Sequence, residues 1–143
     1  MNILISRCLL GVPCRYDGKA KPQPWAEALA GRHDLVPVCP EQLGGLPTPR
    51  TPSERRGDRV VMNTGADVTE QYRRGAEAAL RLCRLTGCEA AILKERSPSC
   101  GCGEIYDGSF SGTLTVGDGV PAELLRKNGI PVYGESHVAA LLD

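Results

Sequence analysis

The strongest constraint on the fold is a series of short apolar runs that alternate with helical segments. Four runs are interpreted as buried strands: NILIS at 2–6, LVPV at 35–38, CEAAILK at 88–94 and IPVYG at 130–134. Helices are predicted at 24–31, 67–87, 121–128 and 137–143. Nearly continuous apolar strands that alternate with helices are typical of a parallel sheet. The sequence therefore predicts an α/β fold: a single domain, residues 1–143, with a Rossmann-like parallel sheet and helices on both of its faces.

Local signals refine the ends of these elements. Asp67 and Glu70 have the spacing of a capping box at the start of the long helix. Ser136 can cap the last helix. Pro37 lies inside the second apolar run, which predicts an irregular or edge strand because proline cannot donate to a central ladder.

Two segments lack a clear period. Residues 40–58 contain four Pro and three Gly, which predicts a functional or mobile loop, and RVVM at 59–62 is a possible short strand after it. The glycines of 108–119 do not form G-x-G-x-x-G directly after a strand, and no G-x-x-x-x-G-K-[ST] is present. Nucleotide cofactors therefore receive no support. C-x-x-C is also absent, which weakens a thioredoxin-like interpretation.

Composition narrows the class of partner. Lys plus Arg equals Asp plus Glu, 17 against 17, so the net charge gives no reason to expect bulk nucleic acid or anionic membrane. No apolar run approaches the roughly 20 residues that cross a bilayer, and the first residues lack the features of a signal peptide. We therefore expect a cytoplasmic protein. Seven cysteines, an odd number, in a reducing compartment indicate metal binding or catalysis rather than disulfides.

Three cysteines follow predicted strands. Cys8 follows the first strand, Cys39 the second, and Cys100 lies six residues beyond Lys94 at the end of the third. Because the carboxyl ends of parallel strands form one edge, we expect the three thiols to converge there. Such thiolates suit zinc, copper(I) or an iron-sulfur cluster. Closed zinc sites prefer pairs at short spacing, so a cluster is favoured over zinc, and separate buried thiols are the alternative.

The other four cysteines have less definite roles. Cys83 shares the apolar face of the long helix and Cys88 begins a buried strand, so both are interpreted as small core residues. Cys14 and Cys102 lie close in sequence to Cys8 and Cys100, and either could replace its neighbour as a ligand. Their roles are left open.

Polar groups near the three thiols are candidates for proton transfer and substrate binding. Glu41 lies two residues past Cys39 and is a candidate acid or base, although a solvated loop glutamate is an equal alternative. Ser97 can bond a ligand or only satisfy its Ser-Pro-Ser turn. Lys94 can reach the same edge from the end of its strand, and Tyr16 either lines the site or lies in a solvated loop.

Four motifs together resemble those of the TudS-like thiouracil desulfidases, a bacterial family. In chain order they are SRCLLGVPCRYDG, VPVCPEQLGGLPTPR, TGADVT and AILKERSPSCG. The resemblance extends from about residue 5 to the C-terminus. Several motifs in a fixed order are more specific than any one of them.

The resemblance implies a [4Fe-4S] cluster with three cysteine ligands, which fall on Cys8, Cys39 and Cys100, and one open iron. The family's acid/base glutamate maps to Glu41 and its active-site serine to Ser97. The implied reaction is non-redox. Water attacks the ring carbon of a thiolated uracil, and the sulfur leaves as sulfide.

The resemblance also suggests the partners. A small thiolated pyrimidine is expected, either 4-thiouracil or its nucleoside monophosphate, with Lys94 or Arg50 as anion partner. No stable complex with nucleic acid is expected, and the iron-sulfur assembly machinery is a transient partner. Two alternatives stay open: a non-enzymatic iron-sulfur or zinc sensor, and a cluster-dependent hydro-lyase. A hydro-lyase acting on a hydroxy acid needs several convergent arginines.

Overall fold

The computed structural model describes all residues, 1–143. Its strands are β1 (Asn2–Ser6), β2 (Asp34–Val38), β3 (Ser53–Arg56), β4 (Arg59–Met62), β5 (Cys88–Leu93), β6 (Glu104–Tyr106), β7 (Leu114–Val116) and β8 (Val132–Gly134). Its α-helices are α1 (Ala26–Ala30), α2 (Pro40–Leu43), α3 (Thr69–Leu85), α4 (Val120–Lys127) and α5 (Ala139–Leu142). A short 3-10 helix, Arg7–Leu10, follows β1.

The main sheet is parallel and has the strand order β2-β1-β5-β8. All four predicted strands are present, and the α/β prediction is confirmed. The strand that contains Pro37 lies at the edge, as predicted, where the missing N–H of proline costs no ladder bond to a second neighbour.

Helices cover both faces of this sheet. On β1, Leu4 packs with residues of α3 and α4, among them Ala79 and Leu125. Ile3 and Ile5 point to the other face, where they pack with Leu29 of α1 and Leu141 of α5. This alternation follows from the two-residue period of a strand. Burial of an isoleucine of this kind stabilises the fold by about 1.5–3 kcal/mol.

Two antiparallel hairpins stand outside the main sheet. One pairs β3 with β4, and the other pairs β6 with β7. Only the strand at 59–62 was predicted, so the interpretation of 40–58 as irregular was wrong for α2 and β3. Strands of three or four residues rich in Arg, Glu and Gly carry no apolar alternation, which is why the sequence pattern missed them.

The predicted helix caps differ from the observed ones. Asp67 accepts a hydrogen bond from the Thr69 backbone N–H at 2.9 Å, while Glu70 pairs weakly with Arg73, so no capping box forms. Ser136 does not cap α5; its hydroxyl donates to Glu95. In both cases an ion pair or a distant carboxylate competes for the predicted capping group. No helix is both long and apolar enough to cross a membrane.

Helices α2 and α3 meet backbone to backbone. A Cβ atom on Gly44, at the end of α2, would overlap the Gln71 carbonyl, and one on Gly75 would overlap the Pro40 carbonyl. Only glycine therefore fits at either position. This contact places α2, which carries Glu41, directly against the turn of α3 that carries Tyr72.

Candidate active site

A cavity of about 440 Å³ opens at the carboxyl ends of the parallel strands. Ser6 ends β1, Val38 ends β2 and Lys94 follows β5, and all three line the cavity. Loops after parallel strands meet at this edge, so residues far apart in sequence reach the same space. This is the edge at which the sequence predicted the functional residues.

The three predicted cysteines line this cavity together with a fourth. Cys8 lies in the 3-10 helix, Cys39 directly precedes α2, Cys100 follows the loop after β5, and none is more than 7% exposed. Cys14 also lines the cavity, and its thiol hydrogen-bonds with those of Cys8 and Cys39. The structure thus brings together four free thiols where the sequence singled out three.

The cavity thiols are held in their neutral form. Burial raises the pKa of Cys100 to about 12, although the hydroxyls of Ser6 and Ser99 act in the opposite direction. The hydrogen bond with Cys14 and burial raise the pKa of Cys39. For Cys14, the hydrogen bond with Cys39 lowers the pKa, but the bond with Cys8 and burial outweigh it and raise it. Metal binding requires thiolates, so loading of this site must release protons.

The arrangement of these thiols fits an iron-sulfur cluster better than a single ion. No three His, Cys, Asp or Glu side chains lie close enough together to hold one metal ion, as a tetrahedral zinc site requires. A [4Fe-4S] cluster takes each thiolate at a different iron, so its ligands need not meet at one point. Soft thiol donors are the ligands that such clusters prefer. The residues present therefore fit a cluster.

Ser6 connects the sheet to Cys100. Its hydroxyl donates to the Cys100 Sγ at 3.2 Å and accepts from the Lys94 backbone N–H at 3.0 Å. Ser6 is only 3% exposed, so both bonds form away from water. The last residue of β1 thereby fixes the position of a thiol that is 94 residues away in sequence.

Glu41 is held by three side chains. Its Oε1 accepts from the Tyr72 hydroxyl at 2.5 Å and from the Arg50 Nε at 3.3 Å, and its Oε2 accepts from the Ser99 hydroxyl at 3.2 Å. The Arg50 side chain is 2% exposed, so this ion pair is largely shielded from water. Burial and the nearby Glu41 charge raise the pKa of Tyr72, which keeps the phenol as a donor. The carboxylate thus has a fixed orientation at the cavity.

Two serines connect Glu41 to the cavity wall. The hydroxyls of Ser97 and Ser99 lie 2.9 Å apart, and Ser99 contacts Glu41. Ser99 is fully buried, whereas Ser97 lines the cavity. The Ser97 Oγ also accepts from the backbone N–H groups of Ser99 and Cys100. Ser97 therefore lies at the cavity end of a hydroxyl chain that begins at the carboxylate.

Tyr16 and Lys94, the predicted substrate-binding residues, both line the cavity. Tyr16 is 41% exposed, and the Arg15 guanidinium lies 5.8 Å from its ring centroid. The Lys94 Nζ bonds the Glu135 carboxylate at 3.1 Å and the Glu95 carbonyl at 3.0 Å. The charge of Lys94 is thus already matched by a carboxylate.

Four arginines also line the cavity: Arg7, Arg15, Arg50 and Arg96. Three of them face carboxylates, namely Glu41 for Arg50, Asp17 for Arg15 and Glu104 for Arg96. Arg7 donates to the Gln42 side chain, and its Nε is buried without a hydrogen-bond partner. Arg7 is therefore the cation of this cavity with hydrogen-bonding capacity left over.

The remaining cysteines lie elsewhere. Cys83 and Cys88 are buried among the residues that join α3 to the sheet, and the Cys83 thiol donates to the Cys88 carbonyl. Cys102 is outside the cavity and contacts Arg126 and the Val132 carbonyl. It is thus not placed to replace Cys100 beside Cys8 and Cys39.

Sequence reasoning missed the residues that orient the site. Tyr72 was interpreted only as part of the apolar face of α3, and Ser6 as part of a buried strand. Both carried a usable signal, because a buried phenol or hydroxyl needs a hydrogen-bond partner. The partner itself could not be inferred, because Tyr72 and Glu41 are 31 residues apart and Ser6 and Cys100 are 94 apart.

The fold and this cavity define an α/β protein with a thiol-lined site and an oriented carboxylate. The sequence profile of the 2-thiouracil desulfurase family matches residues 3–137, so the chain belongs to that family. A solved structure, the [4Fe-4S]-dependent thiouracil desulfidase TudS, superposes with a TM-score of 0.93 at 48% identity and covers 98% of this chain and 94% of its own. The uncharacterized protein YbbK of Bacillus subtilis (strain 168) is 41% identical over 150 residues, which are 98% of this chain and 99% of YbbK.

These comparisons confirm the predicted family, the fold class and the function of a thiouracil desulfurase. They also decide between the open alternatives. Neither a sensor nor a hydro-lyase is the activity for which the matching family is named.

Proposed function

We propose that this chain removes sulfur from thiolated uracil by hydrolysis, with a [4Fe-4S] cluster bound in the cavity. The observation that carries the proposal is the position of Glu41, a carboxylate fixed by three donors in the cavity that Cys8, Cys39 and Cys100 line. Water would supply the oxygen of the new carbonyl, and sulfide would leave. The reaction exchanges one C–S unit for C–O and needs no external electron donor.

Cys8, Cys39 and Cys100 would hold the cluster and leave one iron open. In support, these are the thiols that follow three different strands and face one cavity. When bound, such a cluster supplies a Lewis acid that polarises the C–S bond and accepts the departing sulfide. Cys14 is the fourth thiol of the cavity and would stay a neighbour rather than a ligand.

Glu41 would take the proton of the attacking water. It suits this role because Tyr72 and Arg50 fix Oε1 while Ser99 contacts Oε2. Ser97 would hydrogen-bond the ring of the substrate, and Ser99 would link it to Glu41 for proton exchange. General acid–base groups of this kind contribute about 10²- to 10⁴-fold to rate.

Tyr16 and Lys94 would contact the substrate at the cavity wall. Lys94 is bound to Glu135 and Arg50 to Glu41, so a substrate phosphate would have to compete with a carboxylate at either residue. Arg7 has an unsatisfied N–H and is the better anion partner if the substrate is the nucleoside monophosphate rather than the free base. We further propose that residues 1–143 act as one unit.

We also propose a cytoplasmic location and transient contact with the iron-sulfur assembly machinery. All seven cysteines are free, which suits a reducing compartment, and four of them lie at one cavity that must be loaded with iron. No structural feature identifies the surface that the assembly machinery would contact.

Anaerobic reconstitution tests the proposed function. We expect about four irons per chain and release of sulfide and uracil from 4-thiouracil, with ¹⁸O from labelled water in the product. A variant with Cys8, Cys39 and Cys100 all changed to Ser should bind no cluster and show no turnover. Cys14→Ser is the matched control, because it removes a thiol from the same cavity, and it should keep its cluster. Turnover by the triple variant, or product without ¹⁸O, would refute the proposal.

A further inference from the structure

Two residues other than glycine have a left-handed backbone, and both line the cavity. They are Arg96, with φ 67°, and Phe110, with φ 56°. This region is unfavourable for side chains that carry a Cβ, and bulky residues there are outliers. Such conformations persist only where surrounding contacts impose them, and they cluster at functional sites. The backbone conformation at Phe110 therefore calls for a reason.

The loop that carries Phe110 is fixed by strand β3. The Glu54 Oε1 accepts from the backbone N–H groups of Gly108 at 2.9 Å and Phe110 at 3.1 Å. The Arg56 Nε donates to the Gly108 carbonyl at 2.6 Å. A Cβ on Gly108 would overlap the Arg56 side chain, so the loop and the strand are in direct contact. These contacts impose the unusual conformation.

Core packing does not account for Phe110. It is the only Phe of the chain, yet it belongs to none of the three buried apolar clusters and is half-exposed in the cavity. The Arg56 guanidinium lies 5.8 Å from the ring centroid, so one face of the ring is covered by a cation. The other face has no aromatic or cationic partner of this kind.

We propose that Phe110 is the surface on which the pyrimidine ring of the substrate stacks, and that Glu54 is the positioning residue that sets its angle. The inference rests on the proposed function, because a planar thiolated base is the ligand that needs such a surface. Stacking on an aromatic side chain is tolerant of ring substituents and holds a base without hydrogen bonds. The iron and the hydroxyl chain can then act on the thiocarbonyl while the ring is held by its face.

The test compares substitutions of Phe110 in the reconstituted holoenzyme. Binding of uracil, which has no thiocarbonyl sulfur, is followed by saturation-transfer NMR, and KM and kcat are measured with 4-thiouracil. Phe110→Leu should raise the Kd for uracil and the KM about 5- to 10-fold, the loss expected for one stacked base. Phe110→Tyr should keep both near wild type because the ring is retained. The cluster absorbance should not change in either variant.

A second substitution separates stacking from a structural role. Asn tolerates the left-handed region better than Phe, so Phe110→Asn should keep or raise the unfolding midpoint while uracil binding weakens as in Phe110→Leu. Tyr133→Leu is the matched control, because it removes a half-exposed ring outside this cavity; it should leave uracil binding unchanged. If Phe110 only supports the fold, stability and binding should fall together in Phe110→Asn, and the proposal is overturned.

Glu54 provides a further check. Glu54→Ala removes the acceptor of both loop N–H groups and should raise KM with little change in kcat, whereas Glu54→Gln keeps an acceptor oxygen and should restore KM. Wild-type protein that releases no sulfide would defeat the proposed function. Wild-type activity together with unchanged uracil binding in Phe110→Leu would defeat only the stacking proposal.

Discussion

The chain places cysteines in two contrasting environments. Cys83 and Cys88 lie between α3 and the sheet among Ala and Leu side chains, and their polar contact is with a backbone carbonyl. Cys100 is equally buried, but it receives hydrogen bonds from Ser6 and Ser99 and lies near Glu41. Burial is thus the same in the two regions, while the neighbours differ. The polar neighbours, and not burial, separate a candidate ligand from a packing residue.

The largest difference between the regions should appear at Glu41. Glu41→Gln keeps the hydrogen-bond acceptor but cannot take a proton, so kcat should fall about 10²- to 10⁴-fold while iron content is unchanged. Turnover of 4-thiouracil and iron analysis on the same sample measure this. Glu70→Gln, an exposed carboxylate on α3, is the control and should be fully active. Wild-type kcat in Glu41→Gln would remove Glu41 from the mechanism.

A smaller effect is expected at Ser6. Ser6→Ala removes the donor to the Cys100 sulfur and the acceptor for the Lys94 N–H. Loss of a partner that orients a metal ligand typically costs about 10- to 100-fold in metal affinity, so iron should pass to a chelator that much more readily. Ser109→Ala, in an exposed turn, should behave as wild type. Equal rates of iron loss in Ser6→Ala and wild type would contradict the role of Ser6.

In the packing region, Cys83→Ala should affect stability alone. Removal of one buried atom about the size of a methylene costs about 1 kcal/mol in the free energy of unfolding. Burial raises the pKa of Cys83 to about 11, so no thiolate is lost by the substitution. Urea unfolding measures the stability, and iron content and turnover should not change. Loss of iron in Cys83→Ala would erase the distinction between the two sets of thiols.

The smallest effect concerns the start of α3, the helix that carries both Tyr72 and Cys83. Hydrogen bonds from Arg59 and Thr69 lower the pKa of Asp67 from 3.8 to about 2. Because the pKa is lower in the folded state, the charged form contributes stability above 3.8, and this contribution is lost as the pH falls through about 2. The stability advantage of wild type over Asp67→Asn, measured on metal-free protein, should narrow across that window. A difference that stays constant down to the lower limit would be inconsistent with this origin.

The sequence predicted the part of the fold that depends on local patterns. The four apolar runs and the long helix 67–87 were found because their periods extend over five or more residues. The hairpins were missed because β6 and β7 have three residues each and are held by contacts such as that between Glu54 and Gly108. No local pattern encodes a contact across 54 residues.

The candidate site shows the same division. The position of Cys8, Cys39 and Cys100 after strands followed from the topology of parallel sheets, and the structure places all three at one cavity. The roles of these residues stay a prediction. Which hydroxyl touches Glu41 could not be read from the sequence: Ser97 was singled out, and Ser99 makes the contact. The two serines differ only in the direction in which a tight turn points them.

The close approach of α2 and α3 has a consequence for protein engineering. Because Gly44 and Gly75 let the two backbones touch, the distance from Glu41 to the Tyr72 hydroxyl is set by main-chain contact rather than by adjustable side chains. A methyl group added at Gly75, outside the cavity wall, would move the carboxylate without altering any surface that a ligand meets. Libraries that aim to accept larger thiolated rings should therefore hold these glycines constant and diversify the loop between β6 and β7 instead.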